Sequence, residues 1–532
     1  MTADPNMPAA SFSQKTKAFA NALWNADEKT LRWVLGVLIV ILAGLNFVRD
    51  LDNPHHAFWD ESYYLTSTQR YVEDKAQYAS HPPLGFMFMD AGVKVGKLFG
   101  INKDIDTHFL GDTKKIDSRV VPKGYDFTPI RMPSALFSVV AALLFYLIVL
   151  RLSGEAFEAF VFALLFVFEN AYIVHFRAAH LDAYQFTFTL GSILVWLFTF
   201  GREPKRPLVT YALFGLLCGL SFMVKVNSLV MLALGALSLI RAVWVDRSLA
   251  NWIRQFWRGT AVIGAFVATV AAIFTLHFAI NPNLPDSTTR AGQRDLRATS
   301  QPYKDYLMGK RALTPVVLWA ATNDYYRYMK YDFTGEVKTE PNGSQPALWP
   351  FMAKAINYRW DFDGKKTAYV QMVGNPVNWG LGIVGIAGAL VLILRRRFDK
   401  TETEVSQDYD RLEALFAMFM IFWTFHIYLG LHRVMYIYHY FIGLALSFLL
   451  ISLVFKIVSR RVPLIEKHRF SILCTLSVII ACSYLFYAPL TYHQFLTRSE
   501  CELRNIPVTL VICQPAKKKI KAPPVHTGVA SL

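Results

Sequence analysis

The sequence predicts an all-α, polytopic membrane bundle of about eleven spans with two large loops on one side, and three observations carry that reading. Of 532 residues, 54% are hydrophobic, 15% aromatic and only 18% charged, which is too apolar for an ordinary soluble protein of this size. The apolar residues gather in runs close to the roughly 20 residues that cross a bilayer. The Lys and Arg residues behind the formal net charge of +16 fall in short clusters between those runs. Loops facing anionic headgroups look like this, whereas a nucleic-acid-binding domain would concentrate its charge, so the bilayer and not nucleic acid is the expected partner.

The first run, Leu31 to Val48, follows a tail of residues 1–30 that has neither the apolar core nor the cleavage site of a signal peptide, so it is expected to remain as an uncleaved span. Ten further runs cover residues 132–150, 156–174, 183–200, 208–224, 228–243, 260–280, 377–394, 412–429, 440–455 and 470–487. The stretch 208–243 reads either as one long helix or as two that turn near "MVKVNS". Counting two puts the basic clusters at Arg202 to Arg206, Arg241 to Arg258, Arg395 to Arg411 and Lys456 to Arg469 on one side, leaving only Arg177, Lys225 and Arg433 in the short opposite turns.

The positive side then faces the cytoplasm, with the N-terminus inside and the C-terminus outside. Residues 31–280 form a catalytic membrane module with a first external loop at 49–131. A large external loop spans 281–376, expected to pack on the membrane face as amphipathic or irregular structure. A C-terminal four-helix module covers 377–487, and a basic external tail, 488–532, carries "KKKIK" at Lys517 to Lys521. A plasma membrane suits this plan, or the endoplasmic reticulum in a eukaryote. Of five cysteines, Cys218, Cys474 and Cys482 lie in apolar runs and read as small buried hydrophobes. Cys501 and Cys513 share the polar C-terminal segment and are a candidate disulfide if that segment faces an oxidising compartment.

The outward ends of the spans hold a costly set of polar residues: Asp60 and Glu61, His81, Arg131, His175, Arg177, Asp182, Lys225, Arg433 and His439. Ionisable groups at a membrane are expensive and tend to mark a site, although singly each has an ordinary role as headgroup anchor, helix cap or interfacial histidine. Together, carboxylates and cations on one face are what transfer from a lipid phosphate needs. Arg and Lys hold the leaving phosphate, and a carboxylate takes the proton of an attacking hydroxyl. Metal binding by Asp60 and Glu61 is a rival, disfavoured because adjacent carboxylates on a strand point apart and no further ligands are evident. The chain has no Gly-rich phosphate loop ahead of a helix, which argues against direct use of a nucleotide.

Several motifs resemble those of the protein O-mannosyltransferase family. "FWDESYY" (58–64) resembles its aromatic-Asp-Glu motif, "SHPPLGFMF" (80–88) the His-Pro-Pro-Leu-Gly that follows, and "IRMPSALFS" (130–138) the start of its second span. "VHFRAAHLDAY" (174–184) is similar to its Arg and Leu-Asp turn, "GLSFMVKVNS" (219–228) to its Lys segment, and "LWPFMAKAINYRW", "GNPVNWG" and "HRVMYIYHYF" to signatures of its last four spans. The resemblance runs in order from Phe58 to about Tyr487.

It implies a bacterial-type member of the C-type glycosyltransferase superfamily, since the loop 281–376 has no room for the sugar-binding β-trefoil of eukaryotic members. Such an enzyme moves a sugar, typically mannose, from a polyprenyl or dolichyl phosphate to a protein Ser or Thr with inversion. By motif position Asp60 would be the base, with Glu61 orienting it or the acceptor. Arg131, Arg177, Lys225 and Arg433 would bind the donor phosphate, His81 would shape the acceptor side, and Asp182 and His439 would support. No cofactor is implied, with a divalent metal left open. A lipid or glycan acceptor keeps the chemistry; the charged loop "INKDIDTHFLGDTKKIDSRVVPKGYDF" (101–127) has its own pattern where acceptor recognition would sit. A transporter is the rival of a different class, opposed by the absence of inverted repeats, and a folded but inactive relative is another.

Overall fold

In hydrocarbon a backbone must satisfy its own N–H and C=O groups, so apolar runs fold as helices. The structure, a computed structural model, describes residues 27–200, 204–334, 340–398, 406–507, 509, 511 and 513. Within them α1 (Glu28–Phe47) leads into a first long loop holding α2 (Glu61–Val72) and α3 (Leu84–Leu98). There follow α4 (Thr128–Ser153), α5 (Ala156–Val167), α6 (Asn170–Phe176), α7 (Asp182–Thr199), α8 (Pro207–Phe222), α9 (Leu232–Val245) and α10 (Leu249–Ile280). The second long loop contains α11 (Arg290–Ala298), α12 (Gln301–Leu307), α13 (Pro315–Thr334) and a hairpin of β1 (Ile356–Phe362) and β2 (Thr367–Met372). The chain closes with α14 (Pro376–Phe398), α15 (Ser406–Gly430), α16 (Phe441–Ser459), α17 (Pro463–Thr491), β3 (Phe495–Leu496) and α18 (Arg498–Glu502).

Every expected span coincides with helix. Among the described residues eight helices are long and apolar enough to cross a membrane, or nine if α5 and α6, bent by 58°, count as one. This is a multi-pass membrane protein. The two positions that fall short are α7, whose first half carries Asp182, Gln185, Thr187 and Thr189, and α8, which has 16 residues. The break between α8 and the helical turn starting at Val226 falls at "MVKVNS". At the α5–α6 bend Glu169 is fully buried and accepts four hydrogen bonds, from Ala171 N, Asn375 N, Trp379 Nε1 and Asn378 Nδ2, at 2.9 to 3.2 Å. That carboxylate pins the "GNPVNWG" turn to the bend.

The basic turns meet on one face. Arg241 and Arg396 share Asp410, while Arg411, Lys456 and Arg460 share Asp408. Arg469 holds Glu155 and Glu158. Arg202, Lys400 and the "KKKIK" tail lie outside the described residues.

α16 is the central helix, 89% of its apolar window being buried. The large loop is more ordered than expected. β1 and β2 pair antiparallel, and β2 pairs with β3 through Thr367 with Leu496 and Ala368 with Phe495. Every residue of β2 is buried, against α6 and α17. Cys501 and Cys513 are joined, their Cα atoms 5.8 Å apart. Of the other cysteines only Cys218 is buried; Cys474 is half-buried and Cys482 exposed. The expectation of buried thiols fails there because α17 turns most of its surface outward.

Candidate active site

Asp60 and Glu61 stand at the start of a helix and not on a strand, and they part company there. Asp60 caps α2 and is half-buried; Glu61 is the first helical residue and only 2% exposed. The turn before them is strained, Trp59 adopting a φ of 52°, a region an aromatic residue seldom enters. Trp59 is braced by Tyr358 at 5.3 Å and Tyr436 at 5.4 Å between ring centroids.

Glu61 accepts from Arg131 Nε and Nη2, both at 2.8 Å, from Ala179 N at 2.8 Å and from Phe58 N at 3.1 Å. Arg131 also donates to the carbonyls of Leu51, Pro54 and His56 at 2.8 to 3.0 Å. All five of its N–H groups are thereby used, and it is 1% exposed. These contacts clasp the loop that carries Asp60 and commit every N–H of the expected phosphate ligand Arg131 to the protein itself. Arg177 is also turned inward, donating to the Arg49 and Asp50 carbonyls with Tyr492 4.7 Å beneath its guanidinium.

The remaining residues converge on an aromatic chamber. Asp182, at the start of α7, accepts from Lys225 Nζ at 2.8 and 2.7 Å and lies 2.9 Å from His175 Nε2. The Lys225 ammonium sits over the Tyr438 ring at 5.3 Å, and that ring stacks on His175 at 4.8 Å. Burial pushes the phenols of Tyr64 and Tyr358 well above their usual pKa, and Asp60 and Asp182 both add to the effect. The two carboxylates therefore lie within electrostatic reach of the same hydroxyls. Arg433 is half-buried and acts, with Lys225, on His439, whose ring stacks on Tyr438 at 4.5 Å.

The His-Pro-Pro turn closes the chamber. Leu84 N donates to Met223 O at 3.1 Å, Tyr325 of α13 donates to His81 O at 2.7 Å, and the His81 ring lies 6.4 Å from Tyr64. Gly85 makes this approach possible, since a Cβ there would come within 2.4 Å of Leu181.

The structure thus gathers Asp60, Asp182, Lys225, His439 and Arg433, with His81 at the rim, and sets Arg131 and Arg177 into the supporting loop. Tyr358, Tyr438 and the fully buried His180, packed 4.3 Å from His175, are members that sequence reasoning did not single out. Among the described residues no group of three or more His, Cys, Asp or Glu is placed to hold a metal ion.

Two family models match. One, described as dolichyl-phosphate-mannose-protein mannosyltransferase, covers residues 37–281, and the other, the C-terminal four-transmembrane region of protein O-mannosyltransferase, covers 326–508. The chain is 24% identical over 258 residues to dolichyl-phosphate-mannose–protein mannosyltransferase 3 of Saccharomyces cerevisiae, which covers 47% of this chain and 33% of that protein. It is 31% identical over 161 residues to undecaprenyl phosphate-alpha-4-amino-4-deoxy-L-arabinose arabinosyl transferase 2 of Pseudomonas fluorescens, covering 30% of this chain and 27% of that protein. The matches thus span about a third or less of those relatives. The solved Pmt1-Pmt2 protein O-mannosyltransferase complex of S. cerevisiae, bound to the sugar donor, has a similar fold, with a TM-score of 0.74 over 91% of this chain and 93% of that chain at 12% identity. With both family models matched in order along most of its length, the chain belongs to the protein O-mannosyltransferase family.

Proposed function

We propose that the chain is an inverting glycosyltransferase that moves mannose from a polyprenyl or dolichyl phosphate to Ser or Thr hydroxyls of proteins, on the face of the membrane carrying the two long loops, outside the cytoplasm. One observation carries the reading: a half-buried carboxylate, Asp60, follows Trp59, whose ring packs on Tyr358, and a buried ammonium, Lys225, sits over Tyr438 in the same aromatic chamber. Asp60 removes the acceptor proton as the hydroxyl oxygen attacks the anomeric carbon. The bond from that carbon to the phosphate oxygen breaks on the opposite side, and the phosphate leaves with its charge met by Lys225 and Arg433. Aromatic walls exclude water, which strengthens those contacts and limits hydrolysis of the donor.

The glycan or lipid acceptor is the second reading, favoured by the 31% identity to a protein named as an arabinosyl transferase. Radiolabelled mannose offered on polyprenyl phosphate to the purified chain with membrane extract separates the two. Label on protein that is lost in Asp60→Asn supports the first, label on lipid or glycan the second, and no label with this donor sinks the choice of mannose.

A further inference from the structure

Tyr358 lies in the β hairpin of the large loop, 183 residues from His175 in sequence, yet its hydroxyl meets His175 Nδ1 at 2.6 Å. The far nitrogen of that ring, Nε2, lies 2.9 Å from Asp182 Oδ2, and Asp182 holds the Lys225 ammonium with both oxygens. An ionised carboxylate only accepts, so Nε2 carries a proton, and a neutral ring leaves Nδ1 to accept from the Tyr358 hydroxyl, which also lies 3.2 Å from Met372 Sδ, the weaker acceptor for its single proton. Tyr358, His175, Asp182 and Lys225, from β1, α6, α7 and the turn after α8, therefore form one chain of hydrogen bonds. All four are buried, which limits the competition from water.

The chain bears on what Lys225 can do for an anion. An ammonium has three N–H groups, and a mobile carboxylate beside it would follow it and neutralise it. A carboxylate held by a second donor, here on the Oδ2 that Lys225 also contacts, stays put, and the ammonium can then turn part of its charge toward a phosphate while remaining solvated by Asp182. His175 supplies that hold, and Tyr358 fixes the tautomer that makes it possible. Tyr358 is also a wall of the Asp60 turn, its ring 5.3 Å from Trp59 and 5.8 Å from Phe58.

We propose that Tyr358 and His175 are positioning residues which, acting through Asp182, set the Lys225 ammonium for the lipid phosphate, so that the hairpin of the large loop governs donor binding. This rests on the reading of Lys225 as a donor-phosphate residue.

The test titrates polyprenyl phosphate, without sugar, into the purified full-length chain in detergent by calorimetry, then measures mannose transfer. Tyr358→Phe and His175→Ala each weaken phosphate binding about tenfold and raise the KM for the donor while kcat changes less than twofold. The double variant is no worse than His175→Ala, because Tyr358 works only through the imidazole. His175→Gln, which keeps a donor toward Asp182, recovers most of the affinity. Tyr358→Phe is nearly isosteric, which guards against loss of folding as the cause. Unchanged affinity in both single variants, or additive losses in the double variant, overturns the relay. A wild type that fails to bind polyprenyl phosphate overturns the functional reading beneath it. A wild type that binds, with variants that weaken but no mannose transferred, keeps the relay and rejects only the sugar.

Discussion

Glu61 and Arg131 form a two-point ion pair with both contacts at 2.8 Å, and neither side chain is more than 2% exposed. A fully enclosed pair of this kind is a structural clasp: its partners cannot be separated without stranding a charge. Arg131→Ala is therefore expected to destabilise the protein by about 3–5 kcal/mol and to lower its thermal midpoint in detergent. Arg131→Lys is expected to rescue little, because one ammonium cannot reach Glu61 and three carbonyls together. A midpoint unchanged in both variants would reject the clasp.

Asp60→Asn should behave in the opposite way. The residue is half-buried and Asn matches it closely in size and shape, so the thermal midpoint is expected to hold. Transfer is expected to fall by about a thousandfold, with affinity for polyprenyl phosphate within twofold of wild type. Equal turnover by wild type and variant would remove Asp60 as the base.

Arg433 is the cation best suited to a clean binding test. Lys225→Ala would leave Asp182 buried without its charge partner, confounding binding with folding. Arg433 is half-buried, so its replacement disturbs the buried interior less. Arg433→Ala is expected to weaken polyprenyl phosphate binding about tenfold at unchanged thermal stability, as read from parallel titrations and melting curves.

The β1 strand has its own dependence on acid. Burial would raise the pKa of Asp361, but hydrogen bonds from His493 at 2.8 Å and Arg359 at 2.6 Å outweigh it and bring the carboxyl down to about 2. An unfolded Asp titrates near 3.9. A depressed folded value means stability present above about pH 4 and lost as pH falls toward 2. The midpoint of the wild type should drop more steeply than that of Asp361→Asn between pH 5 and pH 3.

The Cys501–Cys513 bond closes a short loop beside the sheet. Its reduction, or Cys513→Ser, is expected to cost about 2–3 kcal/mol, read as earlier protease cutting after α17. In protein purified without reductant and then denatured, a thiol-reactive tag should label Cys218, Cys474 and Cys482 but neither member of the pair.

The bundle was legible because hydrocarbon enforces one rule on every apolar run, and the positive turns told the two faces apart. The α5–α6 bend was harder to see: past Glu158 only "EN" at Glu169 and Asn170 interrupts the apolar run, and the partners that make Glu169 tolerable lie some two hundred residues away. At the site, Asp60, Lys225 and Asp182 stood out as charges at span ends. Arg131 stood out equally, yet its role depends on acceptors at Leu51, Pro54, His56 and Glu61 that sequence does not bring together. Tyr358 gave no signal at all, since a tyrosine in a long loop is commonplace and its meaning comes from the histidine it meets.

The antiparallel contact between β2 and β3 joins the large loop to a segment that follows the last span. Asn53 and Asp361 both meet His493 there, and Ala355 N donates to Thr509 O. During synthesis, residues 493–507 leave the ribosome after α1 to α17. The wall bearing Tyr358 gains these contacts only then, so a nascent chain already threaded through the bilayer up to α17 still has an unfinished chamber.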